Sequence, residues 1–472
     1  MNIHTRITTF NADTHTPVKL YMALRNVYRK TCLLESNDYH SRQNSKSFIG
    51  LEPIVEIQRN NTILSIQELG HSREIALKST QSHSSQVQDV LNSYNFDSSS
   101  EGIVSSFNGF FGRLGFEFTQ QDETHLKSPE TNDEIPLLHL FIFRYVIVID
   151  HFTSEGYILE NSTDKTFSIR GIQDLIHTEN TLNLPFELFG NERAQFSDET
   201  FRQKVDQGIE HCKQGDVFQL VLSNSFEQSF FGDDFQVYRQ LRRLNPSPYL
   251  FYFDFENYRV FGSSPEAQLV IKNGRSEIHP IAGTVPKTGI KETDDQQLAF
   301  LLNDEKENAE HTMLVDLARN DLSRNCTDIR LESYKEVQSF SHVTHLVSKV
   351  VGKLKEQNNF EALCNSFPAG TLSGTPKPRA LELIHQLESD PRSFYGGAIG
   401  LLTAKSDLNM AIVIRSILSQ NNTLHYRAGA GVVIDSIPDR EVQEVHHKLR
   451  AVRKAIQATS HQFQHSENQH AS

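Results

Sequence analysis

A chain of 472 residues is too long for one simple core and calls for two lobes or one large layered domain. Hydrophobic residues at 37% and charged ones at 22% suit a globular protein in water, and a net charge of −13 without a basic cluster argues against a nucleic-acid partner. Cys32, Cys212, Cys326 and Cys364 stand far apart with no paired spacing, which argues against a disulfide framework or a zinc site and for a reducing cytoplasm.

The opening "MNIHTRITTFNADTHT" has no apolar run, so no secretory signal is expected. Residues 71–101 are polar and serine-rich and predict a surface excursion carrying one helix. "GFFGRLGFEF" and the run 136–149, "PLLHLFIFRYVIVI", predict adjacent strands; the second is short, and His139 and Arg144 interrupt it, so no membrane span is expected. The polar stretch 154–200 predicts a linker. From about residue 201, strands such as "VFQLVLSNSF" and "YLFYFDFENYRVFGSS" alternate with amphipathic helices, and the "NG" at 273–274 marks a hairpin. There is no internal repeat. The expected fold is α+β, layered, with mostly antiparallel strands, divided into an N-terminal region 1–200, a catalytic region 201–458 and a frayed tail 459–472.

The stretch 304–322, "DEKENAEHTMLVDLARNDL", reads as a helix capped by Asp304, with Met313, Leu314, Leu317 and Ala318 as its buried stripe. Glu307 and Glu310 fall close to that stripe, where an unpaired carboxylate costs several kcal/mol in order of magnitude. A second helix, starting at Pro438 and Asp439, buries Val442, Val445, Leu449, Val452 and Ile456 and carries Glu441 and Glu444 three residues apart, with Lys448 one turn beyond. Two readings stay open: solvated first turns with a surface Glu444–Lys448 pair, or two acidic helices converging on one hard divalent cation such as Mg²⁺. The glycine-rich segments 368–384, 395–400 and 428–431 place small residues where backbone amides can approach an anion. Arg415, in the apolar run "MAIVIRSIL", needs an anionic partner, which a substrate carboxylate would supply.

Seven ordered blocks, "PIAGT", "DEKENAEHTMLVDLARNDL", "HLVSKVVGKL", "FPAGTLSGTPKPRALELI", "YGGAIG", "IVIRS" and "AGAGVVIDSIPDREVQE", closely resemble the signatures of the chorismate-utilising enzymes, within them the anthranilate synthase component I branch. The strong resemblance covers roughly 201–456 and a weaker one reaches back to about residue 30. It implies an α/β sandwich with two facing antiparallel sheets. It also implies that Glu310 and Glu444 bind Mg²⁺, with Glu307 and Glu441 in support, and that Gly283, Thr284, Tyr395, Arg415, Gly429, Ala430, Gly431 and Lys448 contact chorismate. Glu266 in "GSSPEAQL" matches the family's general acid and His345 the histidine of the pyruvate-eliminating stage. The implied reaction converts chorismate and ammonia to anthranilate and pyruvate, the first step of tryptophan biosynthesis, with ammonia drawn from glutamine by a separate amidotransferase subunit in a heterotetramer.

Within the superfamily, isochorismate and salicylate synthases carry a water-activating lysine where this chain has Gln219, which favours ammonia, already a nucleophile. Many aminodeoxychorismate synthases carry a lysine nucleophile in the loop that here reads "PIAGT", and Ala282 cannot attack a carbon. Thr375, Pro378 and the run "EVHHKLRAV" depart from the usual family residues. "LLESND" at 33–38, Lys46 and "NPSPYLFYF" at 245–253 resemble the family's tryptophan site, with Glu35, Ser36, Lys46, Pro248, Tyr249 and Leu250 as its walls and L-tryptophan as a feedback inhibitor. The alternatives are an aminodeoxychorismate synthase component I and an inactive tryptophan-binding regulatory homologue.

Overall fold

A computed structural model describes residues 1–36, 45–97, 102, 106–119, 135–168, 170–176, 183–339, 343–356 and 358–470. Strand pairing is antiparallel throughout, apart from a two-residue parallel bridge between 2–3 and 95–96. Two long neighbouring strands, Lys46–Asn60 and Leu138–Asp150, organise it. Residues 47–51 of the former pair with strand Thr31–Glu35, whereas residues 55–60 pair with Ile63–Glu68. The latter likewise uses 145–150 against Glu155–Ser162 and 138–141 against Gly109–Leu114. Each therefore belongs to a different ladder at each end. The switch in the first coincides with a register shift at Pro53–Val55 and with Glu52 at φ 54°, the bulge geometry by which a strand turns a corner between sheets.

From these strands the first sheet runs through Thr31–Glu35, Tyr249–Asp254, Arg259–Ser264, Ser416–Gln420, Thr423–Val432, Gln219–Gly232 and Phe186–Ala194. The second runs through Gly109–Leu114, Ala398–Thr403, Leu408–Ile412, Ala267–Lys272, Arg275–Ile278 and Val343–Leu354, the last also flanked by Ile281–Pro286 and Cys326–Ser339. Alternation along the strands splits the core into layers. Phe251 and Phe253 of the first sheet meet Phe111, Phe141, Phe143, Ile399 and Leu401 of the second in one buried cluster. The outer face of the first sheet packs under helices Asp198–Gln214, Phe235–Leu244, Lys377–Leu387 and Pro438–His470, and that of the second under His83–Asn92, Glu305–Ser323 and Asn359–Ser366. The architecture is the expected sandwich of two facing sheets with helices outside.

The "NG" hairpin is present, with Asn273 and Gly274 both at positive φ between strands paired at Lys272 and Arg275. The four cysteines are buried and free. Among the described residues no helix is long and apolar enough to cross a membrane. Three expectations are corrected. The serine-rich excursion holds a helix at His83–Asn92, but residues 71–76 are a strand, paired with 63–68. The stretch from 154 is no linker, because Glu155–Ser162 lies between two strands of the first sheet. The tail is helical to His470, anchored where Thr459 is buried and donates to the Ala455 carbonyl at 2.7 Å; residues 471–472 lie outside the described part. The boundary near residue 200 runs through shared ladders, since strands from before it pair with strands from after it at Glu35–Leu250 and Leu114–Ala398.

The inter-sheet layer is packed to contact at Gly50, where an added Cβ would meet the Phe143 ring at 2.2 Å. Gly50→Ala is therefore expected to destabilise the fold by about 1–3 kcal/mol, the usual range for overpacking. A urea-unfolding midpoint equal to that of the wild type would show that the two sheets have slack there.

Candidate active site

Asp304 caps its helix as expected, accepting from the Glu307 amide at 2.9 Å, and Leu314, Leu317 and Ala318 are buried beneath it. Val442, Val445, Leu449, Val452 and Ile456 form the buried stripe of the second acidic helix. The two helices lie on opposite outer faces of the sandwich, yet their acids converge. Gln219, on the first sheet, donates to Glu310 Oε1 across 2.9 Å. Lys448 Nζ pairs with Glu444 at 2.7 Å, donates to the Gly429 carbonyl at 2.8 Å and is held charged by Glu444, Tyr395 and Glu310 against the desolvation that opposes it. Nearly half of the Lys448 side chain stays accessible, so this cluster faces a cleft rather than the core.

Small residues open the space between these groups. Gly429 and Gly431 share a strand face with Gln219, and a Cβ at 431 would lie 2.7 Å from Gln219 Nε2. Ala430 points the other way and is fully buried in the core, so its side chain takes no part. Gly283 sits at φ 77°, and a Cβ there would overlap Leu301 and come within 3.4 Å of Glu307 Oε2, which brings the "PIAGT" loop against the acidic helix. Thr284 stands opposite His345 in the ladder; its side chain lies outside the described part.

The chemistry-bearing groups gather on the far side. Glu266 follows the strand that ends at Ser264; its Oε1 accepts from Thr371 Oγ1 at 3.2 Å. Burial pushes its carboxyl up from 4.5 to about 7, against the opposing pull of Thr371, Lys448 and Arg415. Arg415, at φ 48°, makes no side-chain hydrogen bond or ion pair among the described residues, and its charge acts on Glu266. His345 is buried, and desolvation together with Arg415 depresses it to about 4, so its ring is neutral at pH 7. The Tyr395 phenol is buried and raised by desolvation, with the Arg392 guanidinium 5.9 Å from its ring. A neutral histidine, a carboxyl poised near neutrality and two cations make a cleft suited to a small dianion whose reaction needs a proton donor.

For a divalent cation the donor chemistry fits. Glu310 and Glu444 offer hard oxygens around one lysine, and beside Glu310 the Gln219 Oε1 is buried with no hydrogen-bond partner. Among the described residues no group of three or more His, Cys, Asp or Glu side chains is assembled as a ready-made metal cage. Glu441 is buried, and Glu307 lies against the Gly283 loop.

A second cavity, of about 420 Å³, brings together all six residues of the expected amino-acid site: Glu35, Ser36, Lys46, Pro248, Tyr249 and Leu250. Its acid is already engaged by neighbouring side chains. Arg242 grips the Glu35 carboxylate through Nε and Nη2 at 2.8–3.1 Å, Tyr238 donates to it at 2.7 Å, and Lys46 pairs with Asp150 at 2.9 Å. Arg242 and Tyr238 were not expected from sequence; they come from the helix Phe235–Leu244, whose basic last turn was the available signal.

The chain belongs to the chorismate binding enzyme family, whose profile matches residues 31–454. It is 33% identical to anthranilate synthase component 1 of Aquifex aeolicus (strain VF5), over 94% of this chain and 93% of that one. The crystal structure of anthranilate synthase component I from Streptococcus pneumoniae TIGR4 matches with a TM-score of 0.74 at 32% identity, covering 86% of this chain and 92% of that one. The menaquinone-specific isochorismate synthase of Escherichia coli shares the fold at a TM-score of 0.73 but only 17% identity, over 96% and 94% of the two chains. The fold alone therefore does not choose among reactions of this class.

The raised Glu266 carboxyl has a consequence for stability. Its folded value of about 7 lies above the unfolded 4.5, so the folded state binds the extra proton between those values. Its destabilising effect is absent below the lower value and fully present above the upper one. Glu266→Gln should therefore raise the thermal midpoint at pH 8 more than at pH 5. An equal change at both would mean that Glu266 ionises as it does in the unfolded chain.

Proposed function

We propose that the chain acts as the large subunit of an anthranilate synthase, forming anthranilate and pyruvate from chorismate and ammonia. The observation that carries this reading is the cleft in which Glu266, His345, Arg415, Lys448, Glu310 and Glu444 meet while Gln219 and Ala282 stand where a base or an amine nucleophile would be needed for the alternatives. The Gln219 amide already donates to Glu310 and has no basic lone pair to activate water. Ammonia needs no such activation.

In this mechanism Arg415 and Lys448 receive the two substrate carboxylates. Glu266, protonated in an appreciable fraction at neutral pH, gives its proton to the C4 hydroxyl, which leaves as water while ammonia adds at C2. Neutral His345 then takes the proton from C2 as the enolpyruvyl group departs and the ring becomes aromatic. Glu310 and Glu444 would hold Mg²⁺, which when bound supplies a counter-charge for the ring carboxylate. The glutamine route is assigned to a separate amidotransferase subunit, and a cytoplasmic location follows from that metabolic role.

Purified chain with chorismate, Mg²⁺ and ammonium should yield anthranilate, detected by its fluorescence, and excess EDTA should abolish turnover. His345→Ala should let the aminated, still enolpyruvylated intermediate accumulate. Formation of isochorismate or 4-amino-4-deoxychorismate by the wild type would refute the assignment, and loss of chorismate binding in His345→Ala would assign that residue to substrate binding instead.

The cavity around Ser36 supports regulation by L-tryptophan, whose indole suits the apolar walls at Pro248, Tyr249 and Leu250. The chain contains no tryptophan, so ligand fluorescence reports binding directly. Inhibition by millimolar L-tryptophan is expected in the wild type, with Ser36→Phe relieving it; equal inhibition of both would place the regulatory site elsewhere.

A further inference from the structure

Behind Glu266 lies a cavity of about 30 Å³, walled by Glu266, Gln268, Asp321, Ser366 and Thr371 together with apolar side chains of the helix Glu305–Ser323. That volume suits one water, which needs roughly 10–15 Å³ and two to four polar partners. The partners are present. Gln268 Nε2 donates to the Ser366 carbonyl at 3.2 Å, leaving its Oε1 buried with no hydrogen-bond partner. Glu266 and Asp321 reach the same space from different elements, as does Thr371, whose hydroxyl already holds Glu266. Asp321 in turn is bound by Lys377 at 2.9 Å, and that ammonium also donates to the Ser366 carbonyl at 3.0 Å.

We infer that a single buried water in this cavity links Glu266 to the Asp321–Lys377 pair, and that this pair restores the proton Glu266 spends in each turnover. The inference rests on the proposed acid role of Glu266. That role leaves a carboxylate after every hydroxyl departure, in a cleft then filled by an intermediate. The step balances as a relay through the pair: the cavity water gives a proton to Glu266 and takes one from Asp321 as Lys377 passes its own proton to Asp321, and the Lys377 ammonium is restored from solvent. The pair suits the task because Lys377 Nζ donates to Asp321 at 2.9 Å and stays partly accessible, whereas Asp321 is buried against the cavity. On its cleft side Glu266 feels Thr371, Lys448 and Arg415, and the two cations are engaged by the substrate carboxylates. Asp321 and Lys377 are therefore positioning and relay residues, outside contact with the substrate.

The full-length chain is assayed with chorismate, Mg²⁺ and saturating ammonium, comparing wild type with Asp321→Asn and with Ala318→Val, which fills the cavity without touching its polar groups. Both variants should lower kcat on the order of ten- to a hundredfold. KM for chorismate should not change, and the solvent deuterium isotope effect on kcat should rise as reprotonation becomes rate-limiting. A loss carried by KM, or an unchanged isotope effect, overturns the relay. A crystal structure of the wild type provides a readout free of activity: an ordered water within hydrogen-bond distance of Gln268 Oε1 and the Glu266 carboxylate supports the inference, and a dry cavity overturns it even if either variant folds poorly. Absence of anthranilate from the wild type would instead fail the functional assignment, which separates the two.

Discussion

The half-buried Arg415 guanidinium, which no carboxylate meets at ion-pair distance among the described residues, is the constraint around which the cleft is arranged. Leaving such a charge unpaired is costly, by several kcal/mol in order of magnitude when fully buried. The backbone adds to it, since a branched-off arginine at φ 48° occupies the left-handed region that side chains disfavour. What holds it there is the end of the first sheet, where the Arg415 carbonyl accepts from the Ser263 amide at 3.2 Å. The field of this one cation then sets its neighbours. It depresses His345, already disfavoured as a cation by burial, and it restrains the rise of Glu266. For Glu266 desolvation still wins, so an acid near neutrality and a neutral imidazole coexist beside the same guanidinium.

Lys448 solves the opposite problem on the other side of the cleft. Glu310 and Glu444 arrive from helices on opposite faces of the sandwich, and the Lys448 ammonium, tethered by the Gly429 carbonyl, pairs with Glu444 and feels the charge of Glu310. A hard cation held by these two acids, as proposed, would displace that ammonium.

The parts of this site that could be read from sequence are those written in local periodicity. Glutamates that interrupt an apolar helical stripe, a capping aspartate and glycines in otherwise regular strands each announce themselves within a dozen residues, and Glu310, Glu444 and Gly431 were found in that way, whereas Gly283 came from the family resemblance. The specific roles of Glu266 and His345 were legible only through family resemblance, because a lone acid or histidine in an apolar run carries no spacing signal. What no local pattern carries is pairing across hundreds of residues. Strand Glu155–Ser162 reads as polar through Glu160, Asn161 and Ser162, yet the ladders on both sides make it sheet and bury all three. The partners of Glu35 were missed for the same reason, since Arg242 is more than two hundred residues away and meets it only through the first sheet. Thr371, Gln268 and Asp321 likewise become neighbours of Glu266 only when helix and sheet pack.

The same long-range pairing joins the proposed regulatory cavity to the catalytic cleft by a short physical route. Glu35 pairs with Leu250, Leu250 pairs on its other side with Ser263, and Ser263 donates its amide to Arg415. In this proposal a ligand seated against Ser36 and Leu250 reaches, through two adjacent strands, the guanidinium whose charge acts on His345 and Glu266. Sheets transmit such shifts as units because the ladder hydrogen bonds resist sliding. The Arg242–Glu35 clamp ties that cavity wall to the helix Phe235–Leu244. The proposed inhibition would then require no contact between the amino acid and chorismate. It requires only that the ligand bind better to the arrangement in which Arg415 is displaced, and the free-energy difference between the two arrangements sets the strength of control.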